Sequence, residues 1–363
     1  MSAERFLKIL YPVFFFAAFL FMIPPVPAAE GDLLDVRDDS ETPVKIIFDT
    51  DIGGDIDDTF ALALIHRFCD RGKCELLGVT LTNTTLESAQ FVAAVNAVNN
   101  RPEIPVGITL PTAKDDSYSS ATLSQTLADG SPEYPVPEGF LPENPVRLLR
   151  RLLCDAKDHE VVIVQVGMST NLAALLDSPA DDLSPMTGYE LAEKKVRLVS
   201  IMGGSFVFGD TEPSYRDISE WNIKCDIPAA QKLARMWPGR IVYSGYETGN
   251  RILMSPVNLI NDYNTTPAAK ILHDAFGHWT AKNTQEGFRH QRPTWDLTSV
   301  FFVVRPEDGR GYYTLSEPGT VDFTDEGLSS FQPDPNGRHQ VFLTTPETRI
   351  RVQEAFVNLC STP

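Results

Sequence analysis

Residues 48 to 62 read FDTDIGGDIDDTFAL and place five aspartates, Asp49, Asp51, Asp55, Asp57 and Asp58, within ten positions. Apolar runs flank them, Val44-Lys45-Ile46-Ile47-Phe48 before and Phe60-Ala61-Leu62-Ala63-Leu64 after. One or two such carboxylates are explained as favourable charge at the positive end of a helix dipole. Five are not, because their mutual repulsion beside buried segments calls for a neutralising cation. Clustered hard oxygen ligands suit calcium or magnesium rather than zinc. The spacing is not that of an EF-hand, and the closing bidentate glutamate is missing. No Cys/His spacing points to a zinc site either.

The elements that must position this cluster are legible from periodicity. Apolar runs predict strands at Val44–Phe48, Leu76–Leu81, Ile104–Ile108, Val161–Val166, Val196–Met202 and Arg240–Tyr243. Helical patterns fall at Asp58–Cys69, Leu86–Asn99, Pro145–Ala156, Thr170–Leu176, Pro228–Trp237, 268–282 and 347–359. Strands apolar throughout and separated by helices imply an α/β fold, a mostly parallel central sheet flanked by helices in an open, Rossmann-like arrangement. Residues 109–143, rich in Pro, Ser, Asp and Gly, read as a long loop, and 305–345 as loops with a terminal hairpin. No linker divides the chain after residue 44, so 44–363 is expected to be a single domain. In such a sheet ligands bind beyond the carboxyl ends of the strands, where the aspartate cluster falls.

The chain starts with Arg5 and Lys8, an almost unbroken apolar stretch from Ile9 to Ile23, and then Pro24-Pro25-Val26-Pro27-Ala28-Ala29. That is the layout of a signal peptide over 1–29, followed by a flexible leader over 30–43. The mature protein is expected to be secreted or periplasmic, with no stable membrane insertion after cleavage. A formal net charge of −18 disfavours nucleic acid polymers and anionic membranes as partners. Five cysteines are present. Cys69 and Cys74 flank a polar turn and are placed to pair, whereas Cys154 and Cys225 read as buried thiols.

Asp49-Thr50-Asp51-Ile52-Gly53-Gly54-Asp55-Ile56-Asp57-Asp58 resembles the opening motif of the inosine–uridine nucleoside hydrolase family, calcium-dependent N-ribohydrolases, with two extra residues in the loop. Further matches follow in order: Gly78-Val79-Thr80 with Asn83; Gln165-Val166-Gly167-Met168-Ser169-Thr170-Asn171-Leu172; Met202-Gly203-Gly204; Glu220-Trp221-Asn222; and Trp295-Asp296. The resemblance spans about residues 44 to 304. It implies an exported hydrolase that cleaves the N-glycosidic bond of ribonucleosides to ribose and free base, serving purine and pyrimidine salvage, with a calcium-bound water as nucleophile. It also implies a nucleoside hydrolase fold, a small-molecule nucleoside as partner and room for a homo-oligomer. By position, Asp51, Asp58, Asp296 and the main-chain carbonyl of Val166 would hold Ca2+. Asp51 would also take the proton of the attacking water. Asp57, Asn83, Met202, Glu220 and Asn222 would line the ribose, and Asp49 would support the loop from behind.

Each position also has a plainer reading. Asn83 and Asn171 could cap helices, and Asn83-Thr84-Thr85 is a glycosylation sequon. Asp296 could cap 297–303, Glu220 and Asn222 could be loop polar groups, and Met202 and Trp295 could be packing. The chain departs from the family at Trp295, where many relatives carry a histidine. An indole stacks on a base but does not protonate it, so Trp295 is expected to face the nucleobase. His273, His278 and His290 are expected to be surface or structural. Two other classes fit some of these residues. One is a non-catalytic calcium-dependent ribose or nucleoside binder. The other is a haloacid-dehalogenase-like phosphatase, whose first strand also ends in Asp-x-Asp.

Overall fold

Strands form where the chain is apolar on both faces, because helices cover both sides of the sheet they build. In the computed structural model, β1 (Val44–Thr50), β2 (Cys74–Leu81), β3 (Val106–Ile108), β4 (Val161–Gln165), β5 (Val196–Met202) and β6 (Ile241–Ser244) occupy the six segments expected from the sequence. Residues 42–82, 85–109, 117–208, 213–255, 261, 265–304 and 313–361 are described. They belong to the compact unit Asp39–Pro363. Leu253–Met254 and Arg292–Pro293 form a separate small pair, β7 and β8. The tail adds β9 (Thr314–Leu315), the antiparallel hairpin of β10 (Gly319–Phe323) and β11 (Ser329–Pro333), and then β12 (His339–Leu343).

The main sheet runs β3-β2-β1-β4-β5-β6-β12-β10-β11, with β9 beside β12. Every neighbouring pair from β3 to β12 is parallel. The hairpin expected in the tail is there. The sequence reading did not anticipate that His339–Leu343 would extend the parallel sheet beyond β6. Strand order reverses at β1. The chain goes outward through β2 and β3, then returns to place β4 on the other side of β1. Such a switch point opens a crevice at the carboxyl ends of the two diverging strands.

The helices are, in chain order, α1 (Asp57–Asp70), α2 (Leu86–Val98), α3 (Tyr118–Leu123), α4 (Pro145–Asp155), α5 (Thr170–Asp177), α6 (Gly188–Lys195), α7 (Trp221–Cys225), α8 (Ile227–Met236), α9 (Tyr246–Gly249), α10 (Pro267–Asn283), α11 (Trp295–Val304) and α12 (Pro346–Ser361). The short ones, α3, α6, α7 and α9, are additions to the sequence reading. The capping box of α6, Thr187 with Glu190, is a local signal that the sequence carries openly. Helix α3 interrupts the loop expected over 109–143. Both α1 and α11 are buried almost all round, from Asp57 to Phe68 and from Asp296 to Val304. They pack against each other and bring their acidic first turns together. Ile56 occupies the N-cap of α1 with no side-chain cap, so Asp57 and Asp58 are not there to cap it.

Among the described residues no helix is long and apolar enough to cross a membrane. The expected signal peptide over 1–29, the leader up to residue 41 and Asn83 lie outside the described residues. The sulfurs of Cys69 and Cys74 stand 3.4 Å apart. The expectation of buried thiols fails for Cys225, which is exposed on the short helix α7, and for Cys154, which is half-buried.

Candidate active site

A cavity of about 760 Å³ opens at the carboxyl ends of β1, β4 and β5. Its floor is acidic. One carboxylate oxygen from each of Asp57, Asp58 and Asp296 lies within 4.8 Å of the others, and all three residues are buried. Asp51, half-buried at the end of β1, lines the same cavity. This convergence comes from topology: Asp51 ends the first strand, Asp57 and Asp58 open α1, and Asp296 lies in the first turn of α11. The amide of Asp296 donates to Asp57 Oδ2 at 3.4 Å, tying the two helix starts together. The Thr50 hydroxyl donates to Asp58 Oδ1.

Burial raises all four acids above the usual carboxylate range, Asp51 to about 7 and Asp57, Asp58 and Asp296 well above it. Repulsion from neighbouring acids, Asp55 among them, adds to this, and Arg292 partly opposes it at Asp57. Among the described residues none of the four forms an ion pair. Three buried, mutually repelling carboxylates that form no ion pair, with Asp51 beside them, are a donor set suited to a hard divalent metal ion. The Val166 carbonyl, which the resemblance implicates, also lines the cavity. It accepts a hydrogen bond from Asn222 Nδ2 at 2.6 Å, and a carbonyl oxygen has a second lone pair to offer.

Asp49 lies behind this floor and is fully buried. Its Oδ1 accepts from Thr80 Oγ1 at 2.5 Å and from Asn171 Nδ2 at 2.7 Å, while its main-chain carbonyl accepts from Val166 N at 2.7 Å. Asn171 is therefore a brace for Asp49 rather than a helix cap. Burial lifts Asp49 to about 7 against the lowering effect of Asn171 and Thr80. The ends of β1 and β4 approach closely at Gly167, where a Cβ would lie 2.7 Å from Asp51 N and 2.8 Å from the carbonyl carbon of Thr50. Only glycine fits there without moving Asp51.

The cavity wall continues along β5 and α7. Glu220 occupies the N-cap of α7 and accepts main-chain hydrogen bonds from Asn222, Ile223 and Gly204 at 3.0, 3.2 and 3.2 Å. It is buried, and burial pushes its carboxyl up to about 7 despite those donors. Asn222 also reaches Met202, the last residue of β5, at 3.3 Å to its carbonyl. Glu220 thus caps a helix, rather than standing as a loop polar group, and lines the cavity as well.

The opposite wall is aromatic and basic. Arg292 Nε donates to Asp55 Oδ1 at 2.9 Å, and its Nη2 donates to Asp55 Oδ2. The guanidinium carbon lies 4.9 Å from the ring centres of both Trp279 and Trp295. Trp295 stacks on Tyr246 with centroids 5.4 Å apart, and its Nε1 donates to the Tyr246 carbonyl at 2.9 Å. Asp55, whose role the sequence left open, is thereby the carboxylate that holds Arg292. Tyr118 latches the same loop: its hydroxyl donates to the Asp55 carbonyl at 2.8 Å and accepts from Gly53 N at 3.2 Å.

The cavity therefore gathers Asp51, Asp57, Asp58, Val166, Met202, Glu220, Asn222, Trp295 and Asp296, every candidate residue that is described. Sequence reasoning missed Tyr246, Trp279 and Arg292, which stand in no recognised motif, although Tyr246 falls just past the expected strand Arg240–Tyr243. His273 stacks on Phe288 and meets Asp274, and His278 meets Gln125, both structural roles as expected. His290 departs from that expectation by lining the cavity. Its Nδ1 faces Glu286 at 3.0 Å, while its Nε2 is enclosed without a hydrogen-bond partner.

The family model described as inosine-uridine preferring nucleoside hydrolase matches residues 46–353. The non-specific ribonucleoside hydrolase RihC of Shigella boydii serotype 4 (strain Sb227) is 31% identical over 147 residues, which are 40% of this chain and 42% of that protein. The chain thus aligns with less than half the length of that relative. The protein of the same name from Escherichia coli (strain SMS-3-5) is 26% identical over 271 residues, 73% of this chain and 80% of that one. Among solved structures, the plant nucleoside hydrolase PpNRh1 superposes with a TM-score of 0.64 at 21% identity, covering 88% of this chain and 100% of that one. The purine-preferring ribonucleoside hydrolase from Gardnerella vaginalis gives 0.62 at 18%, covering 87% and 98%. These likenesses carry the fold.

Proposed function

The chain belongs to the inosine-uridine preferring nucleoside hydrolase family, and on that premise we propose that it hydrolyses the N-glycosidic bond of ribonucleosides to ribose and free base. The observation that supports this most is the unpaired group of buried carboxylates at the switch point, facing one cavity with Glu220 and Asn222. An all-oxygen donor set would suit Ca2+: Asp58 and Asp296 would hold it together with Asp51 and the Val166 carbonyl, and Asp57, which converges with Asp58 and Asp296, stands within the same group. When bound, such an ion supplies charge that orients and acidifies a water and can engage vicinal hydroxyls.

The chain's own residues do the rest. Asp51 takes the proton of the water that attacks C1′. Cleavage builds positive charge on the sugar, in an oxocarbenium-like state, and the anionic floor stabilises it. Asp57, Glu220, Asn222 and Met202 line the ribose, and Asn83 is assigned there by resemblance alone. Trp295 and Tyr246 give the aglycone an aromatic wall. The phosphatase alternative would need Asp49 as nucleophile, yet Asp49 is 0% exposed, with its Oδ1 held by Thr80 and Asn171 behind the site.

We also propose export, with residues 1–29 removed, which N-terminal sequencing of the secreted protein would check. Incubating the mature protein with inosine, adenosine, uridine and cytidine and assaying free ribose tests the hydrolase reading. Release that stops with chelator and returns with calcium is expected. Nucleoside binding without release of ribose would favour a pure binder, and activity in metal-free protein would remove the calcium.

A further inference from the structure

Cleavage of an N-glycosidic bond leaves an electron pair on the base nitrogen, so a group on the base side must meet that charge. Three basic side chains line the cavity, Lys224, His290 and Arg292. Lys224 is exposed, on α7 beside Glu220 and Asn222, and so belongs to the sugar side. His290 turns Nδ1 to Glu286, and its Nε2 is enclosed, so neither ring nitrogen is presented to a ligand. Arg292 differs from both. Nε and Nη2 hold Asp55, the planar group lies against Trp279 and Trp295, and no acceptor among the described residues engages Nη1.

On the hydrolase reading just given, we propose that Arg292 is the catalytic residue that stabilises the departing nucleobase, through the guanidinium nitrogen that Asp55 leaves uncommitted. Asp55 fixes the fork by two contacts, and the two indoles fix its plane. Its remaining N–H groups therefore stay in place as charge develops, with no reorganisation at that moment. A guanidinium keeps its own protons. The C1′–N bond breaks with its electron pair going to the base, and the water oxygen bonds C1′. The water's proton goes to Asp51, which later returns it to solvent. The base leaves as an anion hydrogen-bonded to Arg292 and takes a proton from solvent on release. The aglycone class this fits is a flat heterocycle with an acceptor at its edge, able to lie against the aromatic wall while its nitrogen or oxygen meets the guanidinium.

The test compares two ribosides in the calcium-loaded full chain: inosine, whose base is a poor leaving group, and 4-nitrophenyl riboside, whose phenolate leaves without help. Arg292→Gln should lower kcat/KM for inosine about 100-fold, the lower end for losing one fixed donor to a developing anion. The nitrophenyl substrate should stay within about fivefold. Asp55→Asn, which loosens the same pair but keeps the guanidinium, should cost less than about tenfold on inosine. Equal losses on both substrates in Arg292→Gln, reproduced by Asp55→Asn, would reduce Arg292 to a latch for the aspartate loop and overturn the proposal. Wild-type protein that releases ribose from neither riboside would instead fail the hydrolase reading itself. Thermal melts within a few degrees of wild type certify that each variant is folded.

Discussion

The two walls of the cavity are built on different principles. On the proposed function one wall meets the sugar and the other the base. The sugar wall is made of strand ends and the helix starts that follow them, and the contacts that shape it each include a main-chain group. Val166 N bonds the Asp49 carbonyl, Asn222 bonds the Val166 carbonyl, and Gly167 allows β1 and β4 to touch. The base wall is made of side chains from α9, α10, β8 and α11 stacked on one another, Tyr246 on Trp295 and Arg292 against Trp295 and Trp279. It too has a close approach, here of a helix to a tryptophan: a Cβ on Gly249 would lie 2.3 Å from Trp295 Cα and 2.6 Å from its indole Cδ1. A wall fixed by main-chain hydrogen bonds keeps its geometry whatever the neighbouring side chains do. A wall fixed by stacking changes with each substitution, which suits it to setting which aglycone is accepted.

The sharpest way to break that comparison is to strike the acidic floor. Asp58→Ala should lose the metal and with it all measurable turnover, since a methyl group replaces a two-oxygen carboxylate. Asp51→Asn keeps an oxygen but removes the base. Turnover should fall by at least about 100-fold while ribose still binds, read by single-turnover assay and by calorimetry. Unchanged turnover would place the base elsewhere.

On the other wall the expected loss is selective. Trp295→Ala removes the ring on which both Tyr246 and Arg292 lie. Base–aromatic stacking is worth about 1–3 kcal/mol, so kcat/KM for inosine should fall by roughly 5- to 150-fold. Uridine should fall less, and free ribose should bind nearly as before. Equal losses for inosine, uridine and ribose would mean that Trp295 only packs the wall from behind.

The same contrast governs what the sequence discloses. Strands β1 to β6 are apolar runs, and Asp51 and Asp58 fall just after a strand and at a helix start, so a local pattern locates them. Met202, Asn222 and Asp296 are reached only through the motifs of the family resemblance. Tyr246, Trp279 and Arg292 come from three separate elements and meet only through tertiary packing, so no window of sequence shows their proximity. The sequence also misassigns Asn171, because an Asn at a helix start has the same local signature whether it caps the helix or braces Asp49. Tyr118 stands in a stretch rich in Ser and Asp whose composition reads as loop, and its hydroxyl acts on residues more than fifty positions away. Helix α6 is a different case, since its capping box was there to be read.

Glu247, buried on α9 next to Tyr246, tests whether the base wall carries stored charge. Burial raises its carboxyl from 4.5 to about 7, opposed by the hydrogen bond from Phe206 N and its own amide. A pKa raised on folding contributes stability that is complete below about 4.5 and is lost as pH rises through about 7. Glu247→Gln keeps an oxygen for the Phe206 amide and does not titrate. The stability of the variant relative to wild type should therefore climb by about 2 kcal/mol between pH 5 and pH 8, measured by urea melts at both. A gap that stays flat would show that Glu247 ionises as freely in the fold as in the unfolded chain.

The smallest effect is expected at the seam between the walls. The Tyr118 hydroxyl donates to the Asp55 carbonyl, so Thr59 Oγ1, 2.9 Å away, donates to it, as does Gly53 N. Three positions of the aspartate loop and α1 thus converge on one oxygen, ahead of Asp57 and Asp58 and beside the carboxylate that holds Arg292. Tyr118→Phe leaves the Gly53 amide and the Asp55 carbonyl without this partner in a buried setting, at a cost of about 1–3 kcal/mol in stability. The loop keeps its other anchor, the Asp55–Arg292 pair, so the acids remain near one another. Calcium affinity should weaken by roughly five- to tenfold, about 1 kcal/mol, while kcat at saturating calcium stays within about threefold. A fall in kcat that excess calcium does not restore would show that Tyr118 sets the position of the reacting groups, and that the sugar wall depends on side-chain contacts as much as the base wall does.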